Sequence, residues 1–140
     1  MIKVSLTGIK GFNEALQRKN DQLTNGMEAE MKASIIEINQ QQKSLAPVDF
    51  GLLRSSLKWA KAASLNYNVV STGPGSSYAP YQEFGTGGMA TIPAGLEDEA
   101  SQFRGKGKRT INMKAQPFFY APAFKEWKEL KKRIENMLKK

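Results

Sequence analysis

The feature that most constrains the fold is a long stripe of apolar side chains near the start of the chain. Apolar residues recur there at steps of three, four or seven positions, which is the spacing of one helix face. They are Phe12, Leu16, Leu23, Met27, Met31, Ile35, Ile38 and Leu45. Pro47 cannot continue a helix, and Gly26 weakens its middle and marks a candidate bend. The pattern predicts one helix of about nine turns. We expect it to lie across a sheet, with a coiled-coil seam as the alternative.

The pattern of apolar and polar residues also predicts shorter elements. Alternation of the two is typical of strands, and apolar residues three or four positions apart are typical of helices. The predicted elements are a strand at 2–6, a β-hairpin at 52–72 with its turn at 62–64, a helical turn at 78–84, a short helix at 96–103, a short strand at 110–113 and a final helix opened by Pro122. The final helix carries one apolar stripe, formed by Phe124, Trp127, Leu130, Ile134, Met137 and Leu138. The prediction is an α+β fold: a small antiparallel sheet packed by a long N-terminal helix and a C-terminal helix.

Length and composition indicate one globular domain. The chain has 140 residues, of which 40% are hydrophobic and 24% charged. Domains most often have about 100–150 residues. We therefore expect residues 1–140 to form a single domain, with a flexible, glycine-containing loop at about residues 85–109. No apolar run approaches the ~20 residues that span a bilayer. The first residues lack the apolar segment of a signal peptide, so we expect a cytoplasmic protein without a membrane partner.

The residue types present exclude thiol and imidazole chemistry and leave carboxylate, hydroxyl and amine groups. Cysteine and histidine are both absent, which removes thiol nucleophiles, imidazole bases and Cys/His zinc sites. The glycines of residues 105–108 lack the spacing of a phosphate-binding loop, and those of residues 85–88 lack the context of a dinucleotide fingerprint. We predict no enzyme activity, no catalytic residues, no metal and no cofactor.

Two loop residues are the best candidates among the carboxylates. Asp49 and Glu83 could meet as a metal or acid–base pair, but nothing in the sequence brings them together. A structural role fits Asp49 better, since it can accept backbone N–H bonds and fix the turn with Gly51. Glu83 could pair with a base such as Arg54.

The net charge of +8 favours an anionic partner. Five bases and no acid lie in one segment of eleven residues: Arg104, Lys106, Lys108, Arg109 and Lys114. A flexible basic segment contacts phosphates without reading bases. This basic surface is expected to face either an acidic partner protein, which we favour, or DNA in a non-specific way. A plain solvated loop is the third possibility.

Three motifs are more specific than the composition. They are Ala-Pro-Val-Asp-Phe-Gly-Leu-Leu-Arg-Ser-Ser-Leu at residues 46–57, Tyr-Ala-Pro-Tyr-Gln-Glu-Phe-Gly-Thr at 78–86 and Gln-Pro-Phe-Phe-Tyr-Ala-Pro-Ala at 116–123. In this order they resemble the tail-completion, or head–tail joining, proteins of long-tailed phages, the HK-type gene-product-ten family. The resemblance covers about residues 10–130. Phe50 departs from it, because the family usually has threonine there, and the third motif has one extra residue.

The resemblance implies a structural protein of a phage or prophage neck. Such a subunit assembles into a homo-oligomeric ring through which DNA passes, contacts neighbouring connector and tail proteins, and is monomeric or oligomeric before assembly. Its location would be the virion, after synthesis in the host bacterial cytoplasm. The alternative function is a basic, non-enzymatic nucleic-acid-binding protein.

Residues of the second and third motifs are the candidates for an assembly interface, where aromatic side chains are enriched. The candidates are Tyr78, Tyr81, Glu83, Phe84, Phe118 and Phe119. The competing interpretation is that these aromatic rings close the core of a small domain. The glycines predicted to adopt a positive φ are Gly51, Gly85, Gly87 and Gly88.

Overall fold

The computed structural model describes residues 9–48, 51–103 and 112–140. Its α-helices are α1 (Ile9–Leu45), α2 (Leu52–Ser56), α3 (Ala79–Phe84), α4 (Glu97–Ser101) and α5 (Tyr120–Leu138). Its strands are β1 (Leu57–Ala63) and β2 (Asn66–Ser71), and 3₁₀ turns cover Pro74–Ser77 and Gly87–Met89. The two strands form one antiparallel sheet that packs with α1, and α5 packs along α1. The predicted α+β fold is therefore confirmed.

The long first helix is confirmed, including its end before Pro47. The helix is continuous through Gly26. A Cβ at Gly26 would lie 2.9 Å from Met137 Sδ. The Met137 side chain of α5 thus rests on α1 at Gly26.

The hairpin is confirmed, but it is shorter than predicted. Residues 52–56 form α2 instead of the start of a strand. Gly51, with φ of 67°, turns the chain into this short helix, and the hydroxyls of Ser55 and Ser56 donate to carbonyls three residues back. Such local side-chain bonds compete with a strand conformation. The register then pairs Leu57 with Ser71.

The hairpin turn lies one to two residues later than predicted. Residues 64–65 form it, and Leu65 has a positive φ of 54°. The Leu65 N–H donates to Glu28 Oε2 at 2.8 Å. A bond to α1 therefore selects this turn conformation, which is uncommon for a leucine.

Helix α5 runs antiparallel to α1. Gln42 Nε2 near one end of α1 donates to the Phe119 carbonyl at 2.8 Å, and Ser34 Oγ donates to Glu126 Oε1 at 2.8 Å. Arg133 donates from Nε to Glu30 Oε2 at 2.8 Å and from Nη2 to Glu126 Oε1 at 2.7 Å. A polar network thus fixes the register of the two long helices.

Within residues 9–48, 51–103 and 112–140, two apolar clusters form the core. The first contains Ala46, Leu53, Leu57, Ala79 and Phe118. The second contains Phe84, Leu96 and Ala100, with Phe103 and Tyr120 packed against it. The described part of the expected flexible loop, residues 85–103, thus carries α4 and contributes to the second cluster. Of the expected strand at 110–113, Met113 makes an isolated bridge with Thr86. The expected strand at 2–6 lies outside the described residues.

Candidate functional site

The candidate site is the junction between the second and third motifs. Glu83 of the second motif forms it by binding backbone N–H groups of the third. Its Oε2 accepts the N–H groups of Phe118 and Phe119 at 2.7 and 2.8 Å, and its Oε1 accepts that of Tyr120 at 3.1 Å. Within the described chain, no local side chain caps the start of α5. A carboxylate on α3 therefore caps α5, where the helix dipole favours a negative charge. The expected pairing of Glu83 with Arg54 is wrong, because backbone N–H groups satisfy this carboxylate.

Backbone pairing extends the junction on both sides of Glu83. The Gln116 N–H donates to the Gln82 carbonyl at 2.7 Å, and the Thr86 N–H donates to the Met113 carbonyl at 2.9 Å. Thr86 Oγ1 in turn accepts the Met113 N–H at 3.0 Å. The segment that leads into α5 is thus held along the end of α3.

Gly85 is required by this pairing. Its φ is 74°, and a Cβ there would lie 2.5 Å from the Met113 oxygen and 2.7 Å from the Ala115 nitrogen. Positive φ is confirmed for Gly51, Gly85 and Gly87. The expectation is wrong for Gly88, where the nearest atom to a Cβ would be Asn112 Oδ1 at 3.9 Å.

Aromatic rings surround the junction. Phe84 stacks on Phe103 at a centroid distance of 5.5 Å and on Tyr120 at 5.8 Å. Tyr81 meets Phe103 edge to face at 5.2 Å. Burial raises the pKa of the Tyr120 hydroxyl, and the charges of Glu99 and Glu83 raise it further. The rings thus form a continuous packed layer over α3 and the start of α5.

The first motif joins the same centre through packing. Leu53, Leu57 and Phe118 are fully buried in one cluster with Ala79. Each of the three motifs therefore contributes to one core. A Cβ at Gly75 would lie 2.4 Å from the Leu52 oxygen, so the chain before the second motif also closes tightly on α2.

A cavity of about 220 Å³ lies at the junction, lined by Ser71, Pro80, Glu83, Phe84, Phe119 and Tyr120 among others. This is smaller than the ~300–1,000 Å³ of ordinary ligand pockets. Glu83 is only 4% exposed and both its oxygens are occupied by backbone donors. Among the described residues, no three carboxylates are grouped in a way that could hold a metal ion. The arrangement supports a structural use of the carboxylate.

A second carboxylate holds the hairpin on α1. Glu28 accepts bonds from the Tyr67 hydroxyl at 2.6 Å and from the Leu65 N–H, and it forms an ion pair with Lys61. The hydrogen bond from Lys61, followed by those from Tyr67 and Leu65, lowers the pKa of Glu28 to about 2. The same contact raises the pKa of Lys61 and that of Tyr67. A charged Glu28 is therefore part of the folded structure.

The interface candidates separate into buried and accessible residues. Glu83, Phe84 and Phe118 are buried inside the chain, where they form the junction. Tyr78 and Phe119 are half-buried against the first core cluster, and Tyr81 is exposed. A role in contacts between subunits stays a prediction, and Tyr81 is the most accessible of the six side chains.

The basic and turn-fixing candidates are only partly described. Lys114 is exposed. Asp49 and the other bases of the predicted basic surface, Arg104, Lys106, Lys108 and Arg109, lie outside the described residues. Gly51 opens α2 in the left-handed conformation, as expected for a turn glycine.

Exposed apolar side chains on α1 and α5 were missed by the sequence interpretation. Phe12 and Leu16 are 64% and 52% exposed instead of packing on a sheet. On α5, Leu130 is buried, but Phe124, Trp127 and Leu138 are exposed. The predicted single stripe of α5 thus has a buried side and an exposed side. Helical spacing alone cannot distinguish them, because the residues of both sides lie at similar angles around the helix.

Comparisons with known proteins give no match from which the role of the site could be inferred. Within the described ranges, no helix is long and apolar enough to cross a membrane. No protein-family model, curated protein or solved structure matches the chain.

Proposed function

We propose that this chain is a subunit of the head–tail interface of a long-tailed phage or prophage, a tail-completion or connector protein that assembles into a ring around the DNA path. The observation that carries the proposal is the convergence of the three motifs on one centre. They are separated along the chain, yet Leu53, Ala79 and Phe118 pack in one cluster. Glu83 also joins the second motif to the third. The residues of the resemblance are thus those that build the domain.

The proposed role is assembly, not catalysis. A ring subunit must present rigid surfaces to its neighbours, and the polar network between α1 and α5 supplies that rigidity. Identical subunits related by rotation make heterologous contacts that close into a ring. The proposed location is the virion neck, after synthesis in the host cytoplasm.

Deletion of the gene from the phage or prophage tests this function. Electron microscopy of the lysate should show DNA-filled heads and separate tails, with infectivity restored by the wild-type gene in trans. The Gly88→Ala variant should also complement, because a Cβ has space there, while Gly85→Ala should fail with the loss of folded protein. Normal joined particles from the deletion strain, at unchanged titre, would contradict the proposal.

Nucleic-acid binding is the second candidate, and one observation favours it. Lys125, Lys128 and Lys132 are exposed on α5 at spacings that place them on one face. Lys132 is paired with Glu129 at 3.1 Å, which reduces the free charge of this face. A ring subunit could also carry this lysine face next to DNA. Contacts to phosphate alone specify no base sequence, so the face would not recognise a DNA sequence.

A further inference from the structure

The first turns of α1 extend beyond the rest of the described structure. Helix α5 ends at Leu138, and its neighbour Met137 lies against Gly26 of α1. Residues 11–22, which we call the α1 extension, are all exposed. At 1.5 Å per residue they project about 18 Å. An uncovered helix of this length is only marginally stable in water, so burial of its apolar face would stabilise it.

The apolar face of the α1 extension lies in line with the face of α1 that packs against α5. Phe12 lies 18 positions before Glu30, and Leu16 lies 18 positions before Ser34. Eighteen residues make about five full turns, so each pair points in the same direction. Glu30 and Ser34 bond to side chains of α5. The face of α1 that α5 covers therefore runs on into Phe12 and Leu16, where the described chain leaves it open.

A second open surface lies on α5. Phe124, Trp127 and Leu138, which we call the α5 outer stripe, are 46%, 60% and 59% exposed. Trp127 follows Glu126, which bonds to Ser34, so it lies about level with Ser34 along α1. Leu16 is then about 27 Å from Trp127 along the axis of a continuous helix, and about 15 Å from Leu138, which follows Met137 at Gly26. The two surfaces cannot meet within one molecule.

We infer that the α1 extension docks on the α5 outer stripe of a second copy of this chain, in a head-to-tail contact. This inference rests on the proposed ring and names the surfaces through which it closes. One chain carries both surfaces at separate places, so each subunit uses one with each neighbour, which is a heterologous contact. Self-pairing of two α1 extensions would instead leave the α5 outer stripe exposed.

The contact is smaller than a stable pairwise interface. Three aromatic rings and two leucines bury on the order of 500 Å². Stable pairwise complexes bury about 1,200–2,000 Å². A single contact is therefore weak, while ring closure makes the last contact intramolecular and raises its effective concentration.

Site-directed cross-linking tests the contact, and the absence of cysteine leaves only introduced thiols to react. Lys19→Cys lies beside Leu16 on the α1 extension, and Lys131→Cys lies beside Trp127 on α5, so both leave the apolar residues intact. A mixture of the two variants, treated with a short bis-maleimide, should give a covalent dimer. The doubly substituted chain should give a ladder of multimers. Asp21→Cys is the matched control, because it points about 180° away from Phe12.

The outcomes separate this inference from the proposed function. Phe12→Asp should lower the cross-linking yield about tenfold, which corresponds to ~1.4 kcal/mol, with an unchanged circular dichroism spectrum because the ring is exposed. Dimers from Lys19→Cys alone, or equal yields with Asp21→Cys, would overturn the head-to-tail contact. Rings seen by microscopy without the expected cross-link would overturn the inference and leave the proposed function standing. Absence of both rings and cross-links in phage lysates would count against the two together.

Discussion

Glu83 and Phe118 are joined across 35 residues of sequence by a hydrogen bond of 2.7 Å from the Phe118 N–H to Glu83 Oε2. The carboxylate accepts two further N–H groups at the start of α5. Both partners are buried. The second and third motifs therefore depend on each other, and this dependence can be measured.

Replacement of Glu83 by glutamine should lower the free energy of unfolding by about 1–3 kcal/mol, because one acceptor oxygen becomes an NH₂ group facing buried donors. Urea unfolding followed by circular dichroism measures this change. Glu99→Gln, at an exposed position on α4, is the control and should stay within about 0.5 kcal/mol of wild type. Equal stability of the two variants would show that the cap contributes nothing.

Gly85→Ala should destabilise the protein by about 2–4 kcal/mol, since the residue has a positive φ and the added Cβ meets the backbone of Met113 and Ala115. Gly88→Ala changes the neighbouring loop without either penalty and should stay close to wild type. Thermal unfolding of both variants provides the measurement. A neutral Gly85→Ala would mean that residues 113–115 move away at little cost.

Stability should depend on pH through Glu28. Its pKa is lowered from 4.5 to about 2 in the folded state. The contribution of its bonds is therefore fully present above pH 4.5 and is lost as the pH falls towards 2. In a Trp127→Phe background, the fluorescence of Trp59 on the hairpin reports the change. Glu28→Gln should remove this part of the acid transition, whereas Glu14→Gln should leave it in place.

Arg133→Ala should lower the free energy of unfolding by about 1–2 kcal/mol. It removes charged hydrogen bonds between α1 and α5 and leaves the largely buried carboxylate of Glu126 with fewer donors. A double-mutant cycle with Glu126→Gln isolates the pair and should give a coupling energy above ~0.5 kcal/mol. An additive cycle would show that the two side chains act independently.

Titration with double-stranded DNA should show no sequence preference and no binding that survives about 200 mM salt, because contacts to phosphate release counterions and weaken steeply with salt. Fluorescence anisotropy with two unrelated duplexes, at low and high salt, measures this. Tight, salt-resistant or sequence-dependent binding would favour the nucleic-acid-binding alternative over the ring subunit.

Local patterns predicted the parts of the fold that local chemistry decides. The spacing from Phe12 to Leu45 and the position of Pro47 predicted α1 and its end. Alternation predicted the hairpin, but its turn depends on the bond from Leu65 to Glu28, and no pattern within the hairpin contains that information. The chain at 52–56 alternates like a strand, yet Gly51 and the serine hydroxyls make it a helix.

The contacts that build the candidate site could not be predicted from the motifs. The motifs identified Glu83 and Phe118 as important residues, while the partner of Glu83 could not be inferred because its three donors are backbone groups 35 to 37 positions away. The pattern places the exposed Phe124 and Trp127 in the same apolar stripe as the buried Leu130, because the three residues follow each other at steps of about one turn.

The cap supplied by Glu83 has a consequence for how the chain forms during synthesis. The N-terminal cap of α5 is the Glu83 side chain of α3. Because α3 leaves the ribosome earlier, the cap is already available when the residues of α5 emerge. In the reverse direction, opening of α3 uncaps α5 at once. The two helices should therefore exchange their amide hydrogens as one cooperative unit, although more than thirty residues separate them.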